Sequence, residues 1–160
     1  MDKLQLTDKQ AHTLIHCLKN VLDTHSKTLS NGDRGKFTLE STRVENVPQY
    51  FQVDYMYDVD DIHINLMDLK THHTLIRINL DTKFHNNSDG KVRGHRVEVF
   101  SVAEFEAKHD SFTHIKAYPF PYDGLNDTND FLEAMQELLD YTNVHKQNRI
   151  NIVIASDLDI

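Results

Sequence analysis

A chain of 160 residues, 39% hydrophobic and 26% charged, is long enough to bury its own core, which excludes a disordered tail and a stapled miniprotein. A single cysteine excludes an internal disulfide, and no apolar run approaches the ~18 residues of a membrane span. The net charge of −8 is concentrated between residues 122 and 160, where eight acids face only Lys146 and Arg149. This disfavours direct contact with nucleic-acid phosphates.

The opening residues, MDKLQLTDKQ, lack the apolar centre of a signal peptide, so a cytoplasmic protein is expected. Thr7 and Gln10 have capping-box spacing. Ala11, Leu14, Ile15, Leu18, Val21 and Leu22 then recur at helical period, predicting a helix that fades near Leu29, before the turn Ser30-Asn31-Gly32-Asp33. Cys17 falls on the apolar face and reads as an inert buried thiol. His12 and His16 can pair one turn apart.

From Lys36 to Phe120 the period changes to two. Strands are predicted at Lys36–Glu40, Tyr50–Tyr57, Asp61–Leu66, His73–Leu80, Val92–Phe100 and Thr113–Tyr118, the last stopped by Pro119 and Pro121. His63, His72 and His73 read as wet-face residues. A second helix is predicted from Thr128 to Thr142, with Phe131, Leu132, Met135, Leu138 and Leu139 on one side. Ile150–Ala155 reads either as a covered last strand or as an edge for a second copy. The expectation is one α+β domain over 1–160: an antiparallel β-meander of about five to six strands, with the N-terminal and C-terminal helices on one face.

Two features carry possible chemistry. The first is the 85–98 hairpin. His85, Asp89 and His95 have side chains suited to zinc or manganese. His85, Asp89, Arg96 and Glu98 form an alternative catalytic set, with His85 as base or ligand, Asp89 orienting it and Arg96 stabilising phosphate charge. A two-residue Asp89-Gly90 turn puts His85 and His95 on opposite faces. A five-residue loop, Asn86–Gly90, puts them on one face but roughly 13 Å apart. No nucleophile elbow, P-loop, CxxC or H-E-x-x-H is present. The second feature is the acidic stripe Asp127, Asp130, Glu133, Glu137 and Asp140. These side chains fall within roughly an 80° arc of the last helix, with no Lys or Arg at i+3 or i+4 to relieve them. Such a row mimics a phosphate track and suits a basic groove.

Leu6-Thr7, Ala11, Leu14 and Ile15, the strand Ile76-Arg77-Ile78-Asn79-Leu80-Asp81, the loop His85–Gly90, Tyr118-Pro119-Phe120-Pro121 and Asp140-Tyr141-Thr142-Asn143-Val144 occur in a characteristic order. In this the chain resembles an uncharacterised family of small proteins from Firmicutes and their prophages. Arg96 and Glu98 stand where that family carries His-x-His, so a chemistry resting on those histidines would be missing here. The resemblance implies a mobile-element setting rather than a reaction. The expected function is therefore a non-enzymatic phage or mobile-element protein that binds a basic host protein. A concrete form is an anti-CRISPR-like inhibitor of a nucleic-acid-handling defence nuclease. A toxin-like endoribonuclease or metal-dependent hydrolase at the hairpin is the alternative, and a homo-oligomeric module joined through Ile150–Ala155 a third. No cofactor and no membrane association are expected.

Overall fold

Thr7 accepts from the Gln10 amide at 3.1 Å, and the Gln10 side chain accepts from the Thr7 amide at 2.9 Å. This capping box opens α1 (Asp8–His16), which buries Ala11, Leu14 and Ile15. The helix stops far short of Leu29. Cys17 is already extended, and β1 (Lys19–Val21) and β2 (His25–Leu29) follow. The residues after Leu18 include Asn20, Val21, Asp23, Thr24, His25, Ser26 and Thr28, a denser run of weak helix formers than α1 carries. Val21 is buried, whereas Leu22 is exposed.

The computed structural model describes residues 3–42 and 44–158; Asp159, one of the C-terminal acids, lies outside them. The next strands are β3 (Asp33–Ser41), β4 (Gln49–Tyr57), β5 (Ile62–Asp68) and β6 (Thr74–Leu80). The single predicted strand Val92–Phe100 is broken at Gly94 (φ +75°). Its first part belongs to a small hairpin, β7 (Phe84–Asn87) with β8 (Gly90–Arg93), and its second part is β9 (Arg96–Phe100). Then come α2 (Val102–Lys108), β10 (Ile115–Pro119), α3 (Phe131–Tyr141), β11 (Val144–His145) and β12 (Ile150–Ile154).

The main sheet has eight strands in the order β10-β9-β6-β5-β4-β3-β1-β11, and strand makes up 44% of the structure. The strand number exceeds the expected five to six. Neighbours are antiparallel except β1 and β11, which run parallel. β12 pairs in parallel with β2, from Ile150↔His25 to Ile154↔Leu29. Ile154 is buried and Ile150 and Ile152 lie against the core, so the apolar tail is a paired strand.

One side of the sheet is apolar. Leu39↔Phe51, Phe37↔Val53↔Leu66↔Ile76 and Tyr55↔Ile64↔Ile78↔Val97 form cross-strand rows. They share one hydrophobic core with the buried faces of α1 and α3. Gly35 is required where β3 crosses Tyr55, because any Cβ there would overlap the phenol ring. Among the described residues, no helix is long and apolar enough to cross a membrane.

Lys19 is wholly buried. Its Nζ donates to the carbonyls of Ile15 (2.7 Å), Cys17 (3.0 Å) and Thr142 (2.9 Å) and lies 5.0 Å from the Phe51 ring centroid. The C-terminal ends of α1 and α3, each with unpaired carbonyls and partial negative charge, thus converge on one ammonium. Burial pulls the pKa of this lysine down to about 8.

Candidate functional site

Because side chains alternate along strands, the residues between the apolar rows point to the other side of the sheet. There the cross-strand rows are Lys36↔Asp54↔Asn65↔Arg77↔Glu98 and Arg34↔Met56↔His63↔Asn79↔Arg96. This side is polar yet largely covered: Asn65, Asn79, Asp81, Arg96 and Glu98 are all buried.

Arg96 is the hub. Its Nη1 donates to Asp81 Oδ1 at 2.7 Å and to the Gly94 carbonyl at 3.0 Å, and its Nε donates to Glu98 Oε2 at 3.1 Å. His85 Nδ1 lies 3.2 Å from the same Glu98 oxygen. The hairpin β7–β8 therefore folds over the polar face and sets His85 on Glu98.

The hairpin register matches neither sequence expectation. His85 pairs with Val92 and Asn87 with Gly90, so the turn is Ser88-Asp89 rather than Asp89-Gly90 or a five-residue loop. Side-chain anchors decide this. Asn87 bonds both the amide (2.8 Å) and the carbonyl (2.9 Å) of Ala117, satisfying the outer edge of β10 in place of another strand. The amide and hydroxyl of Ser88 donate to Glu104 on α2, and Asp89 pairs with Lys116 at 3.1 Å. His95 turns away to Asp127, at 2.7 Å. The metal set His85, Asp89 and His95 is thus dispersed over three separate partners. Of the alternative catalytic set, His85, Arg96 and Glu98 do meet and Asp89 does not.

His63 is not on a wet face, as its sequence context suggested. It sits between Asn79 and Asp61, and potential ligand atoms of Asp61, His63 and Asp81 lie within 4.8 Å of one another. The sequence signal was the antiparallel pairing of β5 with β6. Once Ile62 faces Leu80, Asp61 and Asp81 must be neighbours.

Burial pushes Glu98 up, but the hydrogen bond and charge of His85, with Arg96 and Arg77, outweigh it and hold the carboxyl below its usual range. Burial also lowers His16 and His25. In each case the unfolded chain binds protons that the folded chain resists, so stability falls with acidification. The histidine contribution fades below about pH 6.5, and the Glu98 contribution below about pH 4.5. Calorimetry between pH 7 and 4 is expected to show a steadily falling Tm, with His25→Gln flattening the first part. A Tm constant to pH 5 would contradict this.

The acidic stripe is ordered by its own surroundings. Asp130 caps α3 by accepting from the amides of Leu132 and Glu133. Glu137 accepts from the Asn126 amide (2.8 Å), Glu133 from the Thr128 hydroxyl (2.8 Å), and Asp140 from Gln136 and Gln147. These donors are neutral, so they fix the carboxylates without cancelling their charge. Among the described residues, Asp130, Glu133, Glu137 and Asp140 make no ion pair; Asp127 alone has a titratable partner, His95. Asp127, Glu133 and Glu137, with Asn126, Thr128 and Gln136, line a depression of about 280 Å³.

A family model described as "Family of unknown function (DUF6978)" matches residues 6–144. No curated protein and no solved structure matches the chain.

Proposed function

The chain belongs to that family of unknown function, and from this premise we propose that it acts by binding a basic protein through the acidic face of α3. The observation that carries the reading is the depression lined by Asp127, Glu133 and Glu137. Its Glu133 and Glu137 carboxylates are held by neutral donors and keep their charge, which prepares them for a lysine or arginine side chain. In the mobile-element setting that the sequence resemblance implies, the partner is a host nucleic-acid-handling defence nuclease. Its phosphate groove would be occupied by the carboxylate row, as by an anti-CRISPR inhibitor.

The hydrolase reading of the hairpin has less support. Arg96 is committed to Asp81 and Glu98, and the Nε2 of His85, which would have to exchange a proton, is buried.

Expression in a host carrying a CRISPR nuclease is the direct test, read as plating efficiency of a targeted phage. Wild type is expected to restore plating. The combined Glu133→Gln, Glu137→Gln, Asp140→Asn variant retains its local hydrogen-bond acceptors and is expected to weaken the effect about tenfold or more, as for loss of several interfacial charges. Equal protection by the variant and the wild type would refute the acidic-face reading.

A further inference from the structure

We propose that Asp61, His63 and Asp81 form a binding site for a first-row divalent cation, Zn²⁺ or Mn²⁺, at the base of the β7–β8 hairpin. The inference is independent of the protein-binding reading.

The three residues arise from the register of β5 and β6 and lie on the polar side of the sheet, with candidate ligand atoms within 4.8 Å of one another. The decisive detail is the environment of the His63 ring. Its Nδ1 lies 2.6 Å from Oδ1 of Asn79, a side chain only 2% exposed. An amide oxygen can only accept, so the Nδ1 proton is directed at Asn79 and the ring is locked with Nε2 toward the carboxylates. A histidine whose second nitrogen donates to a buried oxygen is the usual arrangement behind a metal ligand, since it fixes tautomer and ring orientation together.

His63 Nε2 lies 2.6 Å from Asp61 Oδ1. That oxygen is buried, yet the approach is not aligned as a hydrogen bond, and no other donor reaches it. Two such atoms, close but off-line, are placed to share a third atom rather than a proton. With metal bonds of about 2.0–2.2 Å in tetrahedral geometry the two atoms would sit roughly 3.4 Å apart, so ring and carboxylate need to part by under about 1 Å to admit the ion. Asp81 supplies the third ligand, oriented by Arg96 and by the Lys83 amide (2.9 Å). One imidazole with two carboxylates suits zinc or manganese better than calcium or magnesium, which take oxygen ligands.

The ammonium of Lys83, 3.4 Å from Asp61 Oδ2 on a side chain 67% exposed, is the group that an arriving cation would displace. Bound there, the ion would join the start of β5 to the segment that leads into the hairpin, fixing the hairpin over Glu98.

The full chain, freed of metal by chelation, is titrated calorimetrically with ZnCl₂ and MnCl₂, with circular dichroism to confirm folding. One ion per chain is expected. Asp61→Asn and His63→Gln should each weaken binding about tenfold or more, and Lys83→Gln should tighten it several-fold by removing a competing charge. His12→Gln controls for the paired rings of His12 and His16, whose centroids are 4.5 Å apart, and should leave binding intact. The proposal is overturned if wild type shows no saturable binding of either ion. It is equally overturned if Asp61→Asn and His63→Gln both fold and bind as wild type does, or if His12→Gln alone abolishes binding.

Discussion

Lys19→Met is expected to lower stability by about 3–5 kcal/mol, because three carbonyls lose their shared donor in a site without water access. Methionine matches the lysine side chain as far as Cε and omits only the terminal nitrogen, so packing loss is small and the effect isolates the ammonium. At roughly 2–4 °C per kcal/mol for a domain of this size, the melting temperature should drop by roughly 6–20 °C. Ile15, Cys17 and Thr142 provide the carbonyls, so the loss should be felt at the ends of both α1 and α3. Hydrogen exchange is expected to accelerate in both helices together. A melting point within a few degrees of wild type would mean that water or a neighbouring donor replaces the ammonium.

Arg96→Leu is expected to cost a similar amount, about 3–5 kcal/mol, since it leaves the buried carboxylates of Asp81 and Glu98 without the guanidinium that bridges them. Arg96→Lys should recover only part of the loss. A single ammonium cannot reproduce the forked contact that joins Asp81 to Glu98. The cost has a pH signature that a packing defect would lack: it should shrink in acid as Glu98 is protonated. Urea denaturation of the two variants at pH 7 and pH 4 measures it. A penalty that is the same at both values would show that shape, not charge, is what Arg96 contributes.

Local chemistry was readable in the sequence wherever it depended on neighbours along the chain. The capping box at Thr7 and Gln10 forms as its spacing predicts, and the period-two runs from Lys36 onward are strands. Helix α2 had a comparable signal, Ser101 three residues before Glu104, and Ser101 does cap it. That seven-residue helix is too short for a periodic stripe, so the signal stood alone. The acidic row was visible as a pattern, and Gln136 lies one turn from Asp140, but the other side-chain and loop donors come from the 126–128 segment and from Gln147, which no helical periodicity reveals.

What escaped was set by contacts between distant segments. Lys19 falls within the first predicted helix, and only the arrival of Thr142 makes it a buried hub. His63 looked wet because the pairing register of β5 with β6 depends on an irregularity at Leu66/Met67. The hairpin turn followed its anchors on Ala117 and Glu104 rather than the intrinsic preference of Asp-Gly for a two-residue turn.

The pairing of β1 with β11 and of β2 with β12 also bears on how the protein is made. Both parallel pairs join a segment near the start of the chain to one near its end, and Arg149 donates to the Val21 carbonyl across 128 residues. During synthesis on the ribosome, β1 can join β3 early, but β2 has no strand partner, and β1 only one of its two, until residues 144–154 have emerged. Contacts of such long sequence separation slow folding, because the intervening loop must close before they can form. The antiparallel strands from β3 to β6 can pair as they appear, so assembly should proceed from the middle of the sheet outward. The segment β2 should lock last, and a chain released before residue 144 would keep its central sheet, with β1 on β3, while leaving β2 without its strand partner.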